Sequence, residues 1–170
     1  MPDPVYGRIK AGKAPFINYA AKYLVCGELR RRVIAAAPGP MNDGRIIVVD
    51  RPSVTVRVKA MTTATKNGWV WMAREDGSLF RDVKTDDFTV LVDLGDGSQP
   101  VEYFILPTRV LERRLRRDFK KWFATSSPTG RPHSPSNRMY RIGYDESQWR
   151  WLESYRDWSR ILDQLRGEVR

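Results

Sequence analysis

The apolar residues near the start of the chain recur at the spacing of an α-helix. From Phe16 to Ala36 they lie three or four positions apart, which predicts one long helix. Its apolar positions are Ile17, Ala20, Ala21, Leu24, Val25, Leu29 and Val33. Pro38-Gly39-Pro40 is expected to end this helix, because proline lacks the backbone N–H that a helix needs. Residues 1–15 are interpreted as an N-terminal extension, and residues 16–170 as one domain.

Two strand patterns follow this helix. The continuous apolar run Ile46–Val49 is typical of a strand buried on both faces, which predicts a central strand of the sheet. The next segment, Val54–Lys59, alternates valines with polar residues, so one face of the strand is apolar. Arg57 and Lys59 should therefore point together from the other face. Because a buried cation needs a partner, we expect these two side chains to line an open cleft or a polar site.

Three further segments have the composition of strands: Trp69–Met72, Phe88–Asp93 and Glu102–Leu106. The last two are expected to form a hairpin through the turn at 95–97. The aspartates that surround these strands, Asp86, Asp87, Asp93 and Asp96, are interpreted as turn formers and not as calcium ligands. The pattern thus predicts a sheet of about five strands.

The rest of the chain is mostly helical. Pro107 and Thr108 begin a second predicted helix that runs to about Ala124, and residues 125–138 are expected to form a mobile basic loop. Asp145 followed by Gln148 resembles a capping box, which predicts a final helix. The apolar side of that helix consists of Leu152, Tyr155, Trp158, Leu162 and Leu165. The fold class predicted is α/β, with a mixed sheet flanked by helices and a C-terminal helix.

Charge narrows the choice of partner. The chain has 30 Lys and Arg against 20 Asp and Glu, a formal net charge of +10 and a pI near 10.0. This balance favours polyanions, above all nucleic acid. Charge does not distinguish DNA from RNA, and DNA is the partner that we expect. No spanning segment or signal peptide is visible, so we expect a cytoplasmic protein that does not enter the membrane. The single cysteine, Cys26, is interpreted as a small buried residue.

The second predicted helix carries the densest group of cations. Its basic residues are Arg109, Arg113, Arg114, Arg116, Arg117, Lys120 and Lys121. Such a density attracts phosphates by counterion release, although a solvated face that only maintains solubility has the same composition. In the loop that follows, Arg131 and Arg138 are candidates to close over a nucleic-acid strand, whereas His133 is interpreted as an ordinary loop residue.

Several segments, in this order, resemble the PD-(D/E)XK (restriction-endonuclease-like) nuclease superfamily. They are NYAAKYLVCGELRRR, GRIIVVD, VTVRVKA, WVWM, FTVLVDL and VEYFILPTRVLERRL, followed by the Trp-rich final helix. The resemblance implies a restriction-endonuclease-like core. It also implies a Mg²⁺ site formed by an acid on the first helix, an Asp on the central strand, and an acidic or Gln residue two positions before a lysine.

The ligand positions implied by this resemblance carry cations here. Lys59 matches the lysine, while Lys22, Arg45 and Arg57 stand where the oxygen ligands are expected. Cations repel Mg²⁺ and offer it no lone pairs. The favoured interpretation is therefore a degenerate, catalytically inactive pseudo-nuclease that needs no cofactor. Its basic cleft and the second helix would bind the phosphates of nucleic acid.

Two alternatives stay open. An active Mg²⁺-dependent endonuclease with a migrated site would use Lys59 with Glu28 and either Asp43 or Asp50, although Glu28 is also interpreted as a partner for a nearby arginine. A protein-interaction or inhibitor module would instead use the basic face to bind an acidic partner protein. A homodimer is compatible with each of these interpretations.

Overall fold

A five-stranded mixed sheet lies at the centre of the molecule. The computed structural model describes residues 14–40, 44–49, 54–62, 68–143 and 145–166. The strands are β1 (Ala36–Pro38), β2 (Arg45–Val48), β3 (Val56–Met61), β4 (Trp69–Met72), β5 (Phe88–Asp93), β6 (Glu102–Pro107) and β7 (Met139–Ile142). The helices are α1 (Ala14–Arg31), α2 (Thr108–Phe123), α3 (Glu146–Trp149), a 3₁₀ helix (Arg150–Tyr155) and α4 (Ser159–Arg166).

The order of the strands puts β3 in the middle of the sheet. The order is β1-β2-β3-β5-β6; β3 pairs with β5 in parallel, and the other neighbours are antiparallel. β4 does not join this sheet and pairs with β7 in a separate two-stranded sheet. The predicted α/β class, the five-stranded mixed sheet, the β5–β6 hairpin and the C-terminal helix are confirmed. The fifth strand of this sheet is β1, which was not predicted, whereas the predicted strand β4 lies outside it.

Each face of the main sheet has its own hydrophobic cluster. On the first face, α1 and α4 cover alternate β3 residues such as Val56 and Val58. On the second face, Leu91 and Phe104 pack against α2, the β4–β7 sheet and the 3₁₀ helix. Because side chains alternate along a strand, Arg57 and Lys59 point towards the second face. The prediction that these two cations share a face is confirmed.

The predicted end of the first helix is wrong. α1 begins at Ala14 and ends at Arg31, after which Val33 takes a left-handed φ of 64°. The amides of Val33 and Ile34 donate to the carbonyls of Arg30 and Leu29, the pattern of a Schellman cap. The helical spacing of Val33 misled the prediction, since this side chain is 89% exposed. Residues 1–13, most of the predicted N-terminal extension, lie outside the described residues.

The prediction of a central strand at Ile46–Val49 is also wrong. Burial alternates along β2, where Ile47 is 50% exposed, and Val49 just beyond the strand is 60% exposed. Arg45 and Ile47 lie on the second face, so β2 is buried on its first face only.

The C-terminal region is more broken than predicted. Asp145 does cap a helix, accepting a hydrogen bond from the amide of Ser147. The helix continues as a 3₁₀ helix that ends at Tyr155, and α4 begins separately at Ser159, whose amide donates to Asp157. Residues 125–138 form turns without helix or strand, as predicted, and their mobility stays a prediction. The strand that follows them, β7, was not predicted. Across the part of the chain that the structure describes, no helix combines the length and apolarity needed to cross a bilayer.

Candidate functional site

A cavity of about 540 Å³ opens beside β2 and β3 on the second face of the sheet. Its walls come from β2, β3, β4, β5 and the segment 74–81. Five cationic residues line it: Arg45, Arg57, Lys59, Arg74 and Arg81. Of the described residues that line it, none is acidic. We call this cavity the basic pocket.

The register of the strands brings two of these cations together. Arg45 on β2 lies directly opposite Arg57 on β3, so both side chains belong to the same face. Like charges at opposite positions of a strand pair repel each other. Both cations therefore lie where a phosphate or carboxylate in the pocket could contact them.

Arg57 is fixed in place by a buried carboxylate. Its guanidinium donates to Asp87 at 2.8 Å and to the carbonyl of Arg81 at 2.7 Å. The two oxygens of Asp87 also accept the amides of Thr55 at 3.0 Å and Lys84 at 2.9 Å. Burial raises the pKa of Asp87, but these hydrogen bonds outweigh it and hold the pKa below its usual value. Asp87 is therefore an ionised anchor for Arg57.

Lys59 has a different environment. Its ammonium lies 5.9 Å from the ring centroid of Trp71. Among the described residues, no acidic side chain forms a salt bridge with it. Burial lowers the pKa of Lys59, because the charged ammonium is partly removed from water. An incoming anion would interact strongly with such a poorly hydrated cation.

The prediction that Lys22 belongs to the cleft is wrong. Its side chain is fully buried, and its ammonium donates to the carbonyls of Gly39 and Pro40 at 3.0 and 2.5 Å. It also lies 4.9 Å from the ring centroid of Tyr19. Lys22 thus holds the turn at 39–40, whose proline lines the pocket, without facing the pocket itself.

The residues of the alternative, active site do not come together in the described part of the chain. Glu28 pairs with Arg31 at 3.0 Å and with Arg32, as the arginine-partner interpretation predicted. It lies on α1, across the sheet from Lys59. Asp43 and Asp50 lie outside the described residues.

The residues of the basic pocket do not fit a divalent metal ion. Guanidinium and ammonium groups donate hydrogen bonds and offer no lone pairs. Asp87, the carboxylate behind Arg57, uses both of its oxygens for hydrogen bonds to the protein. Nowhere in the described ranges do three or more His, Cys, Asp or Glu residues form a group that could hold a metal.

Comparisons with protein-family models, with curated proteins and with solved structures each found no match. Inference about function therefore starts from the residues of the site.

The helix α2 carries a second group of cations. Arg109, Arg113, Arg116 and Lys120 share one face, since they are spaced three or four residues apart. At 1.5 Å per residue they extend over about 16 Å. We call them the basic stripe. Of the other two predicted phosphate contacts on α2, Lys121 is exposed, and Arg117 forms a salt bridge with Asp118.

One contact links the stripe to the pocket. Arg116 pairs with Glu112 and also donates to the carbonyl of Gly77 at 3.3 Å. Gly77 belongs to the segment 74–81, which supplies Arg74 and Arg81 to the pocket. The pocket and the stripe are thus joined by one segment of the chain. In the described residues, Arg109, Arg113 and Lys120 form no salt bridge with an acid, so their charge is available to a ligand.

Of the loop residues considered above, His133 packs against α2. The ring of His133 stacks on Trp122 with centroids 3.7 Å apart, at the end of α2. Arg131 and Arg138 are exposed. None of the three lines the basic pocket, and their closure over a strand stays a prediction.

Several site residues were not predicted from the sequence. Asp87 was interpreted as a turn former, and Arg74 and Arg81 were not singled out. Trp71 and Phe80, which also line the pocket, have rings 6.4 Å apart in an edge-to-face arrangement. The sequence offers one clue to the role of Asp87. An inward-pointing arginine such as Arg57 needs an acidic partner, and Asp87 stands just before the neighbouring strand.

Proposed function

We propose that this protein binds nucleic acid without cleaving it, holding phosphate groups in the basic pocket and along the basic stripe. The observation that carries the proposal is the pocket itself, with five cations on its walls and no acidic residue among its described lining. Fixed cations in a concave site concentrate the local positive field, which attracts polyanions.

The stripe on α2 supports the same partner. Its cations repeat along one face over about 16 Å, a length that suits several phosphates of a strand and exceeds a single small anion. Since Arg116 contacts the segment that lines the pocket, one extended ligand can reach both groups. The net charge of +10 adds a sequence-independent attraction.

A degenerate restriction-endonuclease-like scaffold is part of this proposal. The resemblance places the superfamily's catalytic centre near a lysine that matches Lys59, and here Arg45 and Arg57 share a pocket with that lysine. Cations at these positions favour a phosphate over Mg²⁺, which supports binding without hydrolysis. Lys22 also stands at one of the expected ligand positions, but it lies outside the pocket.

Binding of labelled DNA tests the proposal. Fluorescence anisotropy at increasing salt compares the protein with the double variant Arg45→Gln, Lys59→Met and with a control, Arg31→Gln, Arg160→Gln. The control removes the same net charge from helices on the other face of the sheet. We expect the pocket variant to lose about tenfold or more in affinity, as when charge-assisted contacts are removed. The control should change little.

Two outcomes would overturn the proposal. One is an absence of binding to single-stranded and double-stranded DNA even at low salt, which would favour an acidic protein as the partner. The other is an equal loss in the pocket variant and the control, which would mean that net charge alone attracts DNA. Circular dichroism of each variant establishes that it remains folded.

A further inference from the structure

The basic pocket has the dimensions of a small-ligand site. Its volume of about 540 Å³ falls within the range of pockets that enclose small molecules and cofactors. The convex backbone of a duplex can lie across such a pocket but cannot fill it. What enters must be a unit about as large as one nucleotide.

The pocket has two kinds of wall. Arg45, Arg57 and Lys59 form a cationic wall on the strands, whereas Trp71, Leu79 and Phe80 form an apolar wall. A nucleotide has the same division, with a charged phosphate at one end and a flat, largely apolar base at the other. Aromatic side chains stack with any of the bases, since every base has a π-face.

We propose that the basic pocket receives the terminal nucleotide of a nucleic-acid strand and binds its phosphomonoester group. This inference rests on the proposed function and names the part of the nucleic acid that the pocket recognises. The basic stripe then holds the phosphodiesters that follow along the strand.

The charge of the pocket favours a phosphomonoester over a backbone phosphodiester. Asp87 neutralises Arg57, but in the described part of the chain Lys59, Arg74 and Arg81 have no salt bridge with an acid. A phosphodiester brings one negative charge, whereas a phosphomonoester brings about 1.5 to 2 and offers three acceptor oxygens. The monoester therefore compensates more of the positive charge of the pocket and can accept from more than one cation at once.

The test compares one short single-stranded oligonucleotide in three forms, with a 5′-phosphate, a 3′-phosphate, or hydroxyl groups at both ends. Competition with deoxyadenosine 5′-monophosphate and with deoxyadenosine separates a free nucleotide from a strand end. We expect one phosphorylated form to bind about tenfold more tightly than the hydroxyl form, as a charge-assisted contact is gained. The nucleotide should compete, and the nucleoside should not.

Matched variants locate the effect. Lys59→Met in the pocket should abolish the preference for a phosphorylated end. Lys120→Gln on the stripe should weaken all three forms alike and leave the preference intact. Equal affinity for the three forms would overturn this inference while the proposed function stands. Competition by the nucleotide without any preference among the strands would overturn the assignment to a strand end. Absence of binding to every form at low salt would overturn the proposed function and this inference together.

Discussion

Replacing Asp87 with asparagine should destabilise the protein strongly. The carboxylate is about 1% exposed and receives hydrogen bonds from Arg57 and from the amides of Thr55 and Lys84. Asparagine keeps one acceptor oxygen and presents an NH₂ group in place of the other. The charge-assisted bond to Arg57, worth about 1.5–3 kcal/mol, is lost, and a backbone amide loses its acceptor at about 1–3 kcal/mol. We therefore expect a loss of about 3–5 kcal/mol in the free energy of unfolding, as when one partner of a buried ion pair is removed.

Urea denaturation followed by tryptophan fluorescence measures this loss at neutral pH. A double-mutant cycle with Arg57→Met adds a control, because the unpaired guanidinium accounts for part of the cost. Asp87→Asn should cost less in the Arg57→Met background than in the natural protein. A loss below about 1 kcal/mol in the natural background would refute the reasoning, since it would mean that the pair adds no more than an exposed salt bridge does.

The effect of Asp87→Asn on stability should also depend on pH. The pKa of Asp87 in the folded protein lies below its ordinary value of 3.8. A carboxyl group of this kind contributes stability that is fully present above its unfolded pKa and is lost as the pH falls through its folded pKa. The difference in stability between the natural protein and Asp87→Asn should therefore shrink as the pH falls below about 4. A constant difference down to acid pH would contradict this assignment.

Other predictions concern the core, a turn, the pocket lysine and catalysis. Leu115→Ala should cost about 2–5 kcal/mol in urea denaturation, because this fully buried leucine leaves a cavity between α2 and the sheet; a smaller loss would mean that the site collapses. Gly68→Ala should lower the thermal midpoint, since φ is +66° and the added Cβ would lie 1.9 Å from the carbonyl oxygen of Ile142; an unchanged midpoint would contradict this. Lys59→Met should stabilise the fold by about 0.5–2 kcal/mol while it weakens DNA binding, because a poorly hydrated charge is removed; lower stability would show that the ammonium has a structural role. Plasmid DNA incubated with the protein and Mg²⁺ or Mn²⁺ should remain intact, and cleavage that Lys59→Ala abolishes would instead establish the active alternative.

Local patterns predicted the face on which the candidate site lies. Alternation along Val54–Lys59 placed Arg57 and Lys59 on one face of a strand, and the structure agrees. Periodicity is reliable here because it depends only on the geometry of an extended backbone, in which neighbouring side chains point to opposite faces. The bounds of α2 were predicted for a similar reason, since a proline and a long amphipathic repeat define that helix.

The residues that complete the site depend on contacts between distant parts of the chain. Arg57 meets Asp87 because β3 and β5 pair in parallel, and the sequence carries no local sign of that pairing. β4 pairs with β7, and the first residues of these two strands, Trp69 and Met139, are 70 residues apart in the sequence. This pairing takes Trp71 out of the main sheet and places it in the wall of the pocket. The wrong prediction for Lys22 has the same origin. Its place on a helix was predicted correctly, but the turn at 39–40, which captures its ammonium, was not predicted to fold over that helix.

Arg57 contributes both to the fold and to the wall of the basic pocket. On one side its guanidinium is paired with the buried Asp87, which satisfies the requirement that an inward-pointing cation have a partner. On the other side it lines the pocket, opposite Arg45 and beside Lys59, where its partner cannot neutralise the neighbouring charges. Among the described residues that line the pocket, cations therefore remain in excess over acids. A strand pair built only for stability would place an acid at one of these positions. The anionic ligand proposed above would account for this excess of cations in the basic pocket.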